Sequence, residues 1–168
     1  MKIQIMGYSG SGKSTLGKKL SEHYKIPVLH LDNTHFYGDW QERSDEEQEA
    51  IITKFIDENE SWIVDGNYRR VCKRRFQECD LLIFLNYNRF YCYRKARQRY
   101  KEWKGRIRYS CPCEEKFDLD FQKWILWGAR SRKRKRQIRD LIDSANCTKL
   151  EFKNRKQLEK YLKSIGIE

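Results

Sequence analysis

The chain has 168 residues, 39% of them hydrophobic and only two of them proline, long enough to bury about two-thirds of its unfolded surface, so neither a disulfide scaffold nor extensive disorder is expected. Met1–Met6 is too short an apolar stretch for a signal peptide and nowhere do 18 apolar residues occur together, which points to one cytoplasmic domain spanning 1–168, with no membrane partner and six reduced cysteines. The net charge of +12 is concentrated: Arg89–Arg139 holds 18 Lys/Arg against five Asp/Glu, while the remainder carries 18 against 19, so the cationic segment asks for an anionic partner.

In chain order, Lys2–Met6 is an apolar run ended by Gly7 and reads as a buried strand, and Ser14–Tyr24 carries Leu16 and Leu20 at helical spacing. Ile26–Leu31 reads as a second strand that delivers Asp32. Ser44-Asp-Glu-Glu47 has the capping-box pattern ahead of Ala50, Ile51, Phe55 and Ile56, which predicts a helix of about 14 residues. Trp62–Val64 before Asp65-Gly66 and Leu81–Leu85 predict a third and a fourth strand. Arg89–Lys104 is a long basic helix, Gly105–Glu115 a loop, and Phe117–Ile142 a second long helix interrupted or bent near Gly128. Thr148–Phe152 is a fifth strand, and Asn154 caps a closing helix through Leu162. Strands alternating with helices imply parallel βαβ units, hence an α/β fold with helices on both faces of the sheet.

Gly7-Tyr-Ser-Gly-Ser-Gly12-Lys13-Ser14 fits G-x-x-x-x-G-K-S/T and lies between the first strand and its helix, the context in which this pattern binds nucleoside triphosphates. Gly7, Gly10 and Gly12, with Ser9 and Ser11, let the backbone curl so that amides from Gly10 to Thr15 converge on phosphate, reinforced by the helix dipole. Lys13 would reach the β- and γ-phosphates and the Ser14 hydroxyl would ligate Mg²⁺. Asp65, at the carboxyl end of its strand, is the second candidate Mg²⁺ ligand, against an ordinary Asp-Gly turn. Asp32 could orient or deprotonate an acceptor hydroxyl, against a helix or loop cap.

On the basic helix Arg94, Arg97 and Lys101 share one face, with Arg106 and Arg108 in the loop that follows. Such charge could close over a triphosphate as a lid, against the commoner fate of a solvated face. Arg130–Arg136 distributes its charge around a helix and suits a polyanion such as DNA or RNA through 130–139; of the aromatics near it, Tyr100, Trp103, Tyr109, Trp124 and Trp127, which could stack on bases, Trp124 is expected with Ile125 and Leu126 to pack its helix onto the core instead. Cys111-Pro-Cys113 has no second ligand pair and predicts no zinc. The leading expectation is γ-phosphoryl transfer from MgATP to a small acceptor. The rival is a nucleotide-responsive nucleic-acid binder, and a third reading is an ATP-binding module without catalysis.

Residues 7–15, Leu29-His-Leu-Asp32, Trp40, Trp62-Ile-Val-Asp-Gly-Asn-Tyr68, Ile83-Phe-Leu85 with Arg89, and Lys116-Phe-Asp with Lys123-Trp-Ile and Trp127 together resemble the topology modulation protein (FlaR-like) family of P-loop NTPases, related in outline to adenylate and shikimate kinases. The resemblance implies a three-layer P-loop kinase fold with a parallel five-stranded sheet in the order 2-3-1-4-5, ATP or GTP with Mg²⁺, and an arginine-bearing lid at about 104–116. By likeness to monophosphate kinases, it places Gly66 on the acceptor side and Arg69 or Arg70 on an anionic acceptor. Asn86 stands where an acid is expected after the fourth strand, and Ser110-Cys-Pro-Cys-Glu114 is longer than the family's lid motif.

Overall fold

A computed structural model describes residues 1–167. In chain order the elements are β1 (Lys2–Gly7), α1 (Lys13–Tyr24), β2 (Val28–His30), α2 (Leu31–His35), β3 (Phe36–Gly38), β4 (Gln41–Glu42), α3 (Asp45–Glu58), β5 (Trp62–Asp65) and α4 (Arg74–Glu78). There follow β6 (Leu81–Leu85), α5 (Arg89–Trp103), β7 (Ile107–Arg108), β8 (Cys111–Glu114), α6 (Leu119–Leu126), a 3-10 turn Gly128–Arg130, α7 (Arg132–Ser144), β9 (Thr148–Phe152) and α8 (Arg155–Ser164). The large sheet is entirely parallel, with β1 central between β5 and β6, and β2 and β9 at the edges. Counted among its own five strands the order is 2-3-1-4-5. The short hairpins β3-β4 and β7-β8 are separate two-stranded sheets.

β1, β5 and β6 are buried almost throughout because helices cover both faces, so their continuous apolar runs carry no polar alternation. Gln4 is the exception in the centre. Its amide donates to the Ile5 and Gly66 carbonyls, and its oxygen accepts from Arg75, itself wholly buried. Arg75 also donates to the Gly66 and Tyr68 carbonyls, tying α4 to the segment that leaves β5. Burial pushes this guanidinium down to about 9, so it remains charged at neutral pH.

The capping box at Ser44 forms as expected, with Ser44 and Glu47 bonding one another's backbone amides. Three expected spans are redrawn. The second strand stops at His30, because Leu31 opens a short helix held from outside: Gln48 on α3 donates to Leu31 O and Thr34 Oγ1, and Arg43 donates to the Asn33, Thr34 and Phe36 carbonyls. The expected loop 105–115 contains the β7-β8 hairpin. The expected helix 117–142 is two helices joined by a 3-10 turn; a Cβ at Gly128 would lie 2.9 Å from the Trp124 ring, and Ser131 caps α7.

Candidate active site

β1 runs straight into the glycine loop, so the loop opens at the carboxyl edge of the central strand, where open parallel sheets bind ligands. Gly10 has φ of 80°, and a side chain there would collide with the Cys92 carbonyl of α5. The loop is thereby pressed against that helix. Gly12, with φ of 91°, is the N-cap of α1 and offers no side-chain cap, which leaves first-turn amides of a 12-residue helix available to an anion. Lys13 Nζ reaches back 3.4 Å to the Tyr8 carbonyl across the loop, and Ser11 Oγ is buried without a protein partner among the described residues. These donors fit a polyphosphate. Asn67 clamps the loop's entry, accepting from Gly7 N–H at 3.0 Å and donating to Gly7 O at 2.8 Å.

A single cavity of about 1100 Å³ extends from this loop to Asp32, Tyr68, Arg99 and Arg108. Asp32 lies in the first turn of α2 and accepts a 2.8 Å hydrogen bond from the Tyr68 hydroxyl through Oδ1. Burial, and then the Asp32 charge, push the Tyr68 phenol far above its ordinary value, so it stays a donor. Beyond it, buried Glu115 accepts from Arg99 Nε at 2.9 Å and from Arg108 Nε. Burial, and then the like charge of Arg108, lower the Arg99 value.

The β7-β8 hairpin is folded over this end of the cavity. Asn33 Nδ2 donates to the Tyr109 carbonyl at 2.9 Å; Trp40 donates through its backbone to Cys113 Sγ at 3.3 Å and through its indole to the Glu114 carbonyl at 3.2 Å. Asp39 and Trp40 both take left-handed φ, 47° and 63°, to place that indole, backbone strain of the kind found at ligand sites. Phe36 packs edge-on against Trp40 at 5.1 Å. Cys111 and Cys113 are buried thiols, the former pushed up to about 11 by burial, and no cluster of metal-ligating side chains occurs among the described residues.

The structure therefore brings Ser9, Gly10, Ser11, Gly12, Lys13, Ser14, Thr15 and Asp32 to one cavity. It separates others from it. Asp65 is buried at the end of β5 beneath α1, its carboxylate hydrogen-bonded to His30 Nδ1 and packed against Gly17, where a Cβ would come within 3.6 Å of it; it does not line the cavity. Arg94, Arg97 and Arg106 are exposed and do not line it, Arg94 lying over the Tyr91 ring at 5.9 Å. Cys92 and Ala96 are the buried residues of α5, and a helix that seats them against the glycine loop turns Lys95, Gln98, Arg99 and Glu102 to the cavity instead. Arg69 and Arg70 do not line it either, and Gly66, with φ of 141°, has Leu31 packed where its side chain would be. The residues missed were Tyr68, Arg99 and Glu115, whereas Arg108, expected in a basic loop over the site, does line the cavity. A signal for Arg99 exists: Cys92, Ala96 and Arg99 lie at i, i+4 and i+7, and the two small residues mark the face of closest approach.

Comparison with solved structures decides the fold. Deoxyadenosine kinase from M. mycoides matches with a TM-score of 0.56 and 14% identity over 98% of each chain. Shikimate kinase from Bacteroides thetaiotaomicron matches at 0.58 and 16%, covering 98% of this chain and 96% of that one. The fold is that of the P-loop kinases. An uncharacterized protein from Eubacterium ventriosum has the same overall architecture, at 0.51 and 18% over 98% of each chain. No protein-family model matches the chain. Among curated proteins, the uncharacterized protein YqaC of Bacillus subtilis is 38% identical over 88 residues, which span 49% of this chain and about half, 47%, of that protein. No helix among the described residues is long and apolar enough to cross a membrane.

Proposed function

We propose that this P-loop protein is a kinase that transfers the γ-phosphoryl group of MgATP to a hydroxyl of a small acceptor. The observation that carries the reading is that the phosphate loop and the Asp32–Tyr68 pair open into the same cavity. Backbone amides of Gly10–Thr15 and the Lys13 ammonium would hold the phosphates, and the Ser14 hydroxyl would ligate Mg²⁺, which would neutralise charge on the β- and γ-phosphates. Asp65, one hydrogen bond from His30 and outside the cavity, shapes the floor under α1 rather than meeting the nucleotide. Asp32 accepts the proton of the acceptor hydroxyl through the oxygen that Tyr68 leaves free, while Tyr68 keeps the carboxylate oriented. The acceptor oxygen bonds to the γ-phosphorus as the bond to the β,γ-bridging oxygen breaks, and ADP leaves.

The quoted sequence elements support placing the chain with the topology modulation family, and ATP rather than GTP is the proposed donor. The experiment is ADP release from MgATP by wild type, Lys13→Ala and Asp32→Asn over nucleoside monophosphates, nucleosides and hydroxylated metabolites. Lys13→Ala should lose about 100-fold or more in turnover. Asp32→Asn should lose turnover with little change in ATP affinity. Equal ADP release by all three proteins would refute the reading.

A further inference from the structure

The acceptor end of the cavity holds more positive charge than its contacts use. Two guanidinium groups, Arg99 from α5 and Arg108 from the hairpin, meet one carboxylate, Glu115. Each spends its Nε on that carboxylate, and Arg108 spends one terminal nitrogen on Ser110 Oγ at 2.9 Å. The terminal nitrogens of Arg99 and the second one of Arg108 have no hydrogen-bond acceptor among the described residues, and both arginines line the cavity. Asp32 makes no hydrogen bond or ion pair with either arginine; its Oδ1 accepts from Tyr68, and its charge acts on Arg99 only at a distance, behind burial, Arg108 and Glu115. The Arg–Glu–Arg cluster itself thus carries one net positive charge, with terminal N–H groups available to a further anion. Parallel guanidinium forks suit a carboxylate or a phosphate.

Apolar surface lies in the same cavity. Phe36 and Trp40 form one wall, with Tyr68 lining the cavity nearby. Resting on the kinase reading of this site, we infer that the acceptor is an anion: a hydroxylated ring compound whose carboxylate or phosphate is held by the terminal amino groups of Arg99 and Arg108. Its ring lies against Phe36 and Trp40, and its hydroxyl meets Asp32. Arg99 and Arg108 set specificity, and Glu115 positions them by fixing both forks through Nε.

The test pairs anionic and neutral probes: AMP with adenosine, CMP with cytidine, and 3-hydroxybenzoate with 3-hydroxybenzamide. Each is measured for binding by calorimetry and for MgATP-dependent ADP release, with wild type, Arg99→Gln and Arg99→Lys. At least one anionic probe should bind where its neutral partner does not. Arg99→Gln should weaken that binding at least about tenfold, and Arg99→Lys should restore part of it, with ATP affinity unchanged. The phosphate and carboxylate pairs then separate the two sources of the anion. Anion binding that depends on Arg99 without ADP release would keep the anion site and sink the kinase reading. Turnover of a neutral probe as good as its anionic partner would sink the anion site and keep the kinase. If no anionic probe binds, or Arg99→Gln binds anions as well as wild type while merely melting earlier, the cluster is a structural tie between α5 and the lid and the inference is wrong.

Discussion

Individual residues here are constrained by what sits against them more than by their type. Gly10 and Gly12 both have left-handed φ, yet only Gly10 has a neighbour in the place of its missing side chain, the Cys92 carbonyl, whereas nothing lies within 4 Å of a Cβ on Gly12. Gly12→Ala should therefore cost about 1–2 kcal/mol of backbone strain. Gly10→Ala adds a backbone collision that only displacement of the loop or α5 relieves. Chemical denaturation and ATP titration should find Gly10→Ala the less stable of the two and weaker for ATP by about tenfold or more. Equal behaviour would mean that the loop does not bear on α5. The same reasoning explains Asp65: Asp-Gly after a strand is visible in sequence, but the direction of the carboxylate depends on His30, 35 residues away.

Among the elements, the strands were the most legible. Leu81–Leu85 and Thr148–Phe152 were predicted to the residue, because short apolar runs bounded by turn-forming or capping residues leave few choices of length. The helix after Ser44 was equally plain, since its cap is local chemistry. Less legible were elements built from distant partners. The turn of helix that carries Asp32 is held by Gln48 and Arg43, and the β7-β8 hairpin is held by Trp40 and Asn33. Trp40→Ala should free the hairpin at the end of β8, where the indole holds the Glu114 carbonyl. Hydrogen exchange over 107–114 should quicken and the KM for the acceptor should rise, while ATP affinity holds. Unchanged exchange in that segment would show that other contacts hold the hairpin.

At the scale of the molecule, the cationic surplus divides into two parts. Arg99 and Arg108 lie inside the cavity, bound to Glu115, whereas Arg132, Lys133, Arg134, Lys135 and Arg136 are exposed on α7 and none lines the cavity. Reversing Arg132 and Arg136 to Glu together should leave acceptor-dependent ADP release within about twofold of wild type, a surface change away from the site, whereas Arg134 lies 4.2 Å from the ring of Trp124, which lines the cavity. A collapse of turnover in that variant would mean that α7 belongs to the catalytic machinery. Any DNA binding by this face would appear separately, as a salt-sensitive affinity abolished by the same reversal.

By itself the sequence determined the glycine loop between β1 and α1, the parallel βαβ order and the five sheet strands, because each rests on periodicity or on a motif whose parts are neighbours in the chain. Tertiary structure alone decided which carboxylate and which arginines share the cavity. Asp32 enters it and Asp65 does not; Arg99 enters while Arg94 and Arg97 face solvent. The reason is geometric. A helix advances about 100° per residue, so a face misjudged by two positions points a guanidinium out of the site, and the judgement depends on where Cys92 and Ala96 meet the backbone of Gly10, a contact between segments about 80 residues apart.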